Sequence, residues 1–424
     1  MSEPVAGVKS LWDHSGEIRP TQPEDFSTIF TAGPAPNKAE GLEYGRCYTA
    51  STSDGEFWNA VGAGPVQDQA RAAAKSLRDG DAAHNMTVVL TKEGMDSDPV
   101  NKRNETIANI AGDPLTGTGM YAAKLATAHN AKPARLYTIA GGFSGPMADD
   151  SANPAVQAMA NVCGSMYGFG FFEGPNSTKA AAIAVRELYG SRHLHLIETG
   201  AYDYNAAGTE VLCGASGYIA GLQATVDRQH GGVPSHCAGA HEVLVSKPGR
   251  EIGFAYDDGS YEGQQLLAAQ IGFLTRGDAN NAFAAGQGGC IYMGAHTCSS
   301  EPLEQFINVS RMQDYMSFMT MKAMVPFVLK YNMNSSTVLR SALKTAESVL
   351  LGLANNNHIY ANPRVEFIPD STTPEDWRLG HFKIHSWAEP HAPLMKVTNT
   401  LHRDRNAIVI AARELEAFSS TFSI

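Results

Sequence analysis

The first two thirds of the chain alternate short apolar runs with Ala-rich segments of helical spacing. The apolar runs predict strands at 26–35, 86–90, 135–140, 168–172 and 192–197. The Ala-rich segments predict helices at 66–77, 115–131, 153–162, 179–188 and 216–228. Because strands that alternate with helices of this length form βαβ units, the pattern predicts a largely parallel sheet covered by helices on both faces.

The pattern changes after Gly294. Residues 288–298, GGCIYMGAHTC, predict a buried strand and a turn, and residues 308–330 predict one long helix with a methionine-rich stripe and a kink at Pro326. A second helix follows a cap at 335–337. Shorter strands are predicted at 364–368, 381–386 and 395–401. The sequence therefore predicts a smaller α+β part behind the α/β part.

Both ends of the chain look extended. Residues 1–25 contain three prolines and a strand-like run at 8–12, and residues 403–424 form a tail with an apolar run at 407–412. The first residues do not show the basic start and apolar core that would predict a signal peptide. No apolar run is long enough to predict a membrane span. We therefore predict an arm at each end.

Charge is distributed unevenly over the 424 residues, whose net charge is −11. Residues 291–424 hold 12 basic and 12 acidic residues, so the other 20 basic and 31 acidic residues lie in residues 1–290. An acidic chain argues against nucleic acid or an anionic membrane as the main partner. The distribution predicts a solvated first part and a charge-balanced last part that meets other surfaces.

Motifs for catalysis or cofactor binding are weak. There is no Walker loop, and the glycines at 168 and 170 lack the rest of a dinucleotide fingerprint, so no cofactor is predicted. Ser216 stands in an incomplete nucleophile elbow and is interpreted as a helix cap. Candidate metal ligands are His193, His195 and Glu198 on a predicted strand, and Cys290, His296 and Cys298 in the turn after Gly288. Their spacing matches no established metal motif, so no metal site is predicted.

Taken in order, a set of segments resembles contractile phage tail sheath proteins. The passage from 288–298 into Ile307-Asn308-Val309-Ser310-Arg311-Met312 is similar to the family's strand, turn and Asn-Val-x-Arg junction, although His296 stands where arginine is common. The other segments with family-like patterns are 26–36, 48–64, 116–120, 132–136, 220–227, 232–234 and 382–401.

The resemblance implies a structural protein and not an enzyme. It implies an N-terminal arm (1–25), an α/β outer domain (26–290), an inner, tube-facing domain (291–402) and a C-terminal arm (403–424). Such subunits assemble as stacked rings into a helical sheath, and the sheath contracts to drive a tube through the host envelope. The implied partners are further copies of the chain, the tail tube protein, and the baseplate and tail terminator proteins, in a virion assembled in the bacterial cytoplasm. No nucleic acid, membrane insertion or cofactor is implied.

The resemblance also implies that the arms add strands to sheets of neighbouring subunits. The residues predicted in such strands are Val8, Leu11, Trp12, Lys396, Val397, Thr398, Leu401, Ile408, Val409 and Ile410. Six dispersed cysteines in a particle released into oxidising surroundings predict disulfides between subunits, with Cys47 and Cys237 as candidates. Two alternatives stay open, namely the sheath of an injection machine that is not a phage, and an α/β acyltransferase with Cys213 or Cys290 as nucleophile.

Overall fold

A computed structural model describes residues 23–76, 84–204, 208–277, 290–329, 336–368, 372–398, 400–403 and 405–420. The predicted strand residues Val8, Leu11 and Trp12 lie outside these ranges. The chain forms two bodies, one that ends at Ala392 and a small one from Pro393 onward.

The larger body is built around a six-stranded sheet. Its strands are β1 (Ile29–Pro34), β2 (Cys47–Ser51), β3 (Asn85–Thr91), β4 (Leu136–Ile139), β5 (Phe169–Glu173) and β6 (Leu194–Ile197), in the order β2-β3-β1-β4-β5-β6. Strands β3, β1, β4, β5 and β6 run parallel to one another, and β2 pairs antiparallel with β3 at one edge of the sheet. The predicted largely parallel sheet is therefore confirmed.

Helices cover both faces of this sheet because successive strand residues point to opposite sides. In β1, Ile29 enters the core formed with α1 (Gly55–Val61), α2 (Pro65–Ser76) and α6 (Ser216–Gln229), whereas Phe30 enters the core on the other face. The helices of that other face are α3 (Pro99–Ala111), α4 (Pro154–Met166) and α5 (Lys179–Glu187).

Helix α6 is buried along residues 216–227. It packs on the sheet and on α2, where a Cβ at Gly221 would overlap the carbonyl oxygen of Ala73. The two helices therefore touch backbone to backbone, which only a glycine at position 221 permits.

Two small antiparallel sheets follow. One has the order β10-β7-β8, from β7 (Ala201–Tyr204), β8 (Glu210–Cys213) and β10 (Lys247–Pro248). The other has the order β11-β12-β9, from β9 (His241–Val243), β11 (Phe273–Thr275) and β12 (Cys290–Met293). Helix α7 (Glu262–Ala268) packs near α5. Strand β12 is the buried strand predicted within 288–298.

The last part of the larger body contains two long helices and a two-stranded sheet. Helices α8 (Ile307–Met324) and α9 (Ser336–Asn355) pack together, and the methionine stripe of α8 fills a third core that also contains Phe26 and Val233. Strands β13 (Arg364–Glu366) and β14 (His385–Trp387) pair antiparallel, with α10 (Pro374–Arg378) between them. This core contains residues from both sides of position 290, namely Phe26 and Val233 before it and α8 and α9 after it. The domain boundary at 290 therefore stays a prediction.

Two of the predicted helices differ in detail. Residues 115–131 contain the 3-10 segments Gly119–Leu125 and Thr127–His129, because Gly117 and Gly119 adopt left-handed backbone angles that interrupt an α-helix. The long helix predicted to reach 330 ends at Met324, two residues before Pro326. Helix α3 was not predicted, although Asp98 caps it and Pro99 starts it.

The structure of the smaller body differs from the tail predicted at 403–424. Ile408, Val409 and Ile410 lie in helix α11 (Arg405–Ser420) and not in a strand. The β-branched triplet favours a strand, but the following Ala411–Phe418 run, AARELEAF, contains strong helix formers that extend the helix through it. Lys396, Val397, Thr398 and Leu401 lie in a segment that is neither helical nor paired as a strand.

Candidate assembly surfaces

The Asn-Val-x-Arg segment at the start of α8 attaches that helix to the α/β part. Arg311 lies among buried residues and donates two hydrogen bonds to Asp227 of α6, one of them 2.9 Å long, and a third of 3.1 Å to the carbonyl oxygen of Phe26. The side chains of Arg311 and Asp227 are 2% and 0% exposed. Burial raises the pKa of Asp227 to about 6, although Arg311 acts in the opposite direction. Each of the two buried charges is compensated by the other, so loss of either residue would leave an unpaired charge in the interior. The pair therefore holds α8 against α6.

Asn308, three residues earlier, closes a second contact. Its Nδ2 donates to the carbonyl oxygens of Ser235, at 3.1 Å, and of His391, at 2.8 Å. Its Oδ1 accepts a hydrogen bond from the thiol of Cys237. The motif residues therefore fix the orientation of α8, and their partners lie on the loop after α6 and near the end of the larger body.

The two-stranded sheet β13–β14 is an incomplete sheet. Within the described residues each strand pairs only with the other, through Arg364 with Trp387, Val365 with Ser386 and Glu366 with His385. The guanidinium of Arg364 lies 4.2 Å from the ring centre of Trp387. A hairpin-sized sheet is marginally stable alone, and its free edges present unpaired backbone N–H and C=O groups. Such edges accept added strands.

Asp376 stabilises the connection between these two strands. It accepts hydrogen bonds of 2.8 Å from the ammonium of Lys383 and from the backbone N–H of Thr373, and these bonds hold its pKa well below its usual range. The capping box that Thr373 and Asp376 form starts α10. Local contacts therefore hold the connection of the two strands, while Val365 of β13 packs against the third core.

The smaller body exposes an unusual number of apolar side chains. In the segment before α11 the exposed side chains include Leu394, Met395, Val397 and Leu401, the last 91% exposed. On α11, Ile408 and Leu415 are seven residues apart and lie on one face, and they are 71% and 73% exposed. A surface of this kind indicates a contact site for another molecule.

The two candidate disulfide cysteines have different surroundings. Cys47 is 1% exposed, and its thiol donates to the carbonyl oxygen of Ala122. Burial raises the pKa of the Cys47 thiol to about 12, so this position argues against a disulfide to a neighbouring subunit. Cys237 is partly exposed, although burial also raises the pKa of its thiol to about 12. Cys163 is buried as expected, whereas Cys213 is partly exposed.

We expect that any disulfide between subunits involves Cys237 and not Cys47. Electrophoresis of intact particles without reductant, after blocking of free thiols, should give a dimer band that disappears in Cys237→Ser. The variant Cys163→Ser is the matched control and should keep the band, because Cys163 is fully buried. A monomer band alone, unchanged by reductant, would contradict the disulfide prediction.

The candidate nucleophiles lie in buried or partly buried positions. Burial raises the pKa of Cys290 to about 11, and that of Cys213 is raised as well, so neither thiol is prepared to ionise. Ser216 was interpreted as a cap, but the N-cap of α6 is Ala215. The Ser216 hydroxyl instead donates to Glu173 at 2.8 Å and accepts from Gln69. The hydroxyl thus belongs to a buried structural network.

The candidate metal ligands have separate partners. His195 is buried between the Tyr292 hydroxyl and the carbonyl oxygen of His296, and burial lowers its pKa to about 3. His193 lies 3.1 Å from Asp314, and Glu198 pairs with Arg250. Burial raises the pKa of Glu198 to about 7. Across the described ranges, no three His, Cys, Asp or Glu side chains converge in a way that would hold a metal ion.

Sequence reasoning singled out Asn308 and Arg311 as a motif but did not identify their partners Asp227, Ser235 and His391. It also missed α11. The apolar residues of α11 at positions 408, 411, 412 and 415 show helical spacing, and this signal was available in the sequence. None of the helices in the described part of the chain is both long and apolar enough to cross a membrane.

No family model and no curated protein matches the sequence. Solved structures do match it. The helical sheath of the anti-feeding prophage in its contracted state matches with a TM-score of 0.62 and 16% identity, over 95% of this chain and 100% of that chain. The contracted PVC sheath complex of an extracellular contractile injection system matches with a TM-score of 0.62 and 12% identity, over 96% of this chain and 99% of that one.

A chain in the contracted baseplate structure of the anti-feeding prophage matches with a TM-score of 0.64 and 13% identity, over 96% of this chain and 99% of that chain. These likenesses extend over nearly all of both chains, so they concern the complete architecture and not only the common parallel sheet. The resemblance to contractile sheath proteins that the sequence indicated is confirmed at the level of the fold. The chain has the fold of the sheath proteins of contractile injection systems.

Proposed function

We propose that the protein is the subunit of a contractile tail sheath and has no enzymatic role. The observation that carries the proposal is the sheath fold over 95% or more of the chain. The incomplete β13–β14 sheet and the exposed apolar surface of the smaller body support it, because a polymer subunit needs surfaces that only a neighbour covers.

Assembly in this proposal proceeds by strand addition. Two segments add strands to the edges of β13 and β14 in neighbouring subunits. One is the N-terminal arm, through Val8, Leu11 and Trp12, and the other is the segment from Lys396 to Leu401. Backbone hydrogen bonds supply the affinity. The donor and acceptor surfaces differ, so the contact is heterologous and repeats into rings or a helix. Helix α11 would dock beside the added strands through its face with Ile408 and Leu415, in place of the strand that was predicted at 408–410.

Contraction in this proposal is a change of lattice and needs no nucleotide. The arms are covalent tethers, so subunits can rotate as rigid bodies while they stay connected. The free energy comes from contacts that form only in the shorter, wider lattice. The proposed partners are further copies of the chain, the tail tube protein, and the baseplate and terminator proteins. The charge-balanced residues 291–402 would face the tube and the acidic residues 26–290 would face solvent.

We propose a phage tail as the assembly, in which contraction serves genome delivery. A second candidate is an injection machine that is not a phage, and the matched PVC sheath comes from an extracellular contractile injection system. Electron microscopy and nucleic-acid staining of purified native particles distinguish the two, because a phage carries a DNA-filled capsid.

The test of the sheath proposal is negative-stain microscopy of the overexpressed full-length chain. We expect rings or tubes from the wild type. The variant Ser386→Pro in β14 should give dispersed but folded subunits, because proline lacks the N–H that a strand ladder requires and this two-stranded sheet is a small part of the larger body. The matched control Ser386→Thr keeps that N–H and should still form tubes. Dispersed wild-type chain with thiol-dependent turnover would instead support the acyltransferase alternative.

A further inference from the structure

Four histidines from three separate segments meet where the α/β part contacts the last part of the larger body. His230 caps the end of α6 and His236 lies six residues later, and their rings stack with centroids 3.7 Å apart and planes 6° from parallel. His358 follows α9 and meets the ring of His230 edge-on at 6.4 Å. His391 lies at the end of the larger body, with the ring of Tyr360 at 4.4 Å. We call these four residues the histidine cluster.

Ser235 connects two members of the cluster. Its hydroxyl lies 2.9 Å from Nδ1 of His236 and 3.0 Å from Nδ1 of His358. A hydroxyl has one proton to donate, so when both rings are neutral at most one Nδ1 accepts it. Protonation of both rings turns both nitrogens into donors and removes the acceptor of the Ser235 proton. The hydrogen bonds of the cluster therefore depend on its protonation state.

The backbone around the cluster ties the same segments together. The N–H of Tyr360 donates to the carbonyl oxygen of Glu389 at 2.9 Å, and Ile359 forms an isolated bridge with Pro390. Asn308 of α8 links the carbonyl oxygens of Ser235 and His391. The cluster thus lies inside a joint between the loop at 230–236, the start of α8, and the segments 356–360 and 389–391.

The surroundings of three of the four rings favour the neutral form, even though His236 is exposed and His230 and His358 are only partly buried. Burial lowers the pKa values of His230, His236 and His358. Charge on His230 and His391 lowers the pKa of His236 further, and charge on the other three rings lowers that of His358. After burial, the charges of the neighbouring histidines are therefore what lowers the pKa values of His236 and His358.

Charged groups on the neighbouring elements do not compensate the cluster. On α6, Asp227 is bound by Arg311, and Arg228 is itself a cation. Asp25, near Gly232, accepts from Ser27, and Glu389 is exposed. Within the described ranges no carboxylate forms an ion pair with any of the four rings, whereas His193 and His381 elsewhere do have such a partner. Protons that enter the cluster therefore add charge without a counterion.

We propose that the histidine cluster is an acid-sensitive joint, and that its protonation separates the loop at 230–236 from the segments 356–360 and 389–391. Histidines with a lowered pKa in the folded state stabilise the joint fully above the unfolded value of about 6.5, and this stabilisation is lost as the pH falls below it. The proposal concerns the folded chain itself and does not depend on the sheath assignment.

The experiment is hydrogen exchange of the full-length chain, followed at the amide of Tyr360 and reported as protection factors, which remove the intrinsic effect of pH. Between pH ~7.5 and ~5.5 we expect the wild type to lose protection there by about tenfold, the limit for one histidine with an ordinary pKa of about 6.5 that stays neutral while the joint is closed. The double variant His236→Gln, His358→Gln should lose less than about twofold over the same range, since two of its titrating rings are gone.

His241→Gln is the matched control. Its ring is exposed on the same connection, bonds the carbonyl oxygens of Ala238 and Gly239, and should leave the wild-type response unchanged. If the double variant does not fold, His230→Gln removes the stacked partner while Ser235 keeps both of its contacts, and a reduced pH response in that variant supports the proposal. Equal losses in the wild type and the folded variants, or no loss in the wild type, would overturn it.

Discussion

Replacement of Arg311 with methionine is expected to lower the free energy of unfolding by about 3–5 kcal/mol, which is the cost of leaving a buried charge without its partner. Methionine fills the space of the aliphatic part of the side chain but leaves Asp227 buried and deprives the carbonyl oxygen of Phe26 of its donor. Chemical denaturation of the full-length chain, followed by circular dichroism, measures the loss.

Two further variants make this result specific. Arg378→Met removes an exposed pair with Glu375, whose side chains are 80% and 71% exposed, and should cost less than about 1 kcal/mol. The double variant Arg311→Met, Asp227→Leu removes both buried charges and should recover a large part of the lost stability, since apolar pairs often replace buried ion pairs without loss. A loss below about 1 kcal/mol in Arg311→Met would show that the pair does not hold α8 in place.

Deletion of residues 403–424 is expected to abolish tube formation while it leaves a folded subunit. The larger body ends at Ala392 and has its own three cores, so its thermal unfolding midpoint should be unchanged. Assembly should fail because the deletion removes α11 and its exposed apolar face. Deletion of residues 1–20 should have the same effect on assembly, through the loss of the N-terminal arm. Negative-stain microscopy and light scattering measure both.

A double substitution tests whether assembly depends on the exposed apolar face of α11 or only on the presence of the helix. Ile408→Glu with Leu415→Glu places two charges on the exposed apolar face and should reduce assembly as strongly as the deletion. Glu414→Gln lies on a different side of the helix and is the matched control, which should assemble normally. Tubes of normal length from the truncated chain would exclude a role of residues 403–424 in assembly.

The parallel sheet was predictable because each of its buried strands is a short, mostly apolar run. The runs at 26–35 and 135–140 became β1 and β4, which pair in parallel as expected. The strands predicted at 364–368 and 381–386 overlap β13 and β14, which are shorter, since among the described residues each has only one neighbour and exposes most of its side chains.

Long-range pairs could not be predicted from one sequence. Arg311 and Asp227 are 84 residues apart, and the sequence gives no signal that joins an arginine on one helix to an aspartate at the end of another. The histidine cluster likewise combines positions 230, 236, 358 and 391, which come together only once α8 and α9 have packed. The Ile-Val-Ile triplet in α11 was misassigned because short-range β preference opposed the helix preference of the residues after it.

The complete burial of α6 has a mechanical consequence. A helix that is enclosed along residues 216–227, and that touches α2 backbone to backbone at Gly221, has no free side toward which it can tilt. Its last turn carries Asp227, to which α8 is attached. A displacement imposed on α8 therefore cannot be absorbed by bending of α6 and must move the whole sheet with it. In this way the enclosed helix couples α8 mechanically to the sheet of the larger body.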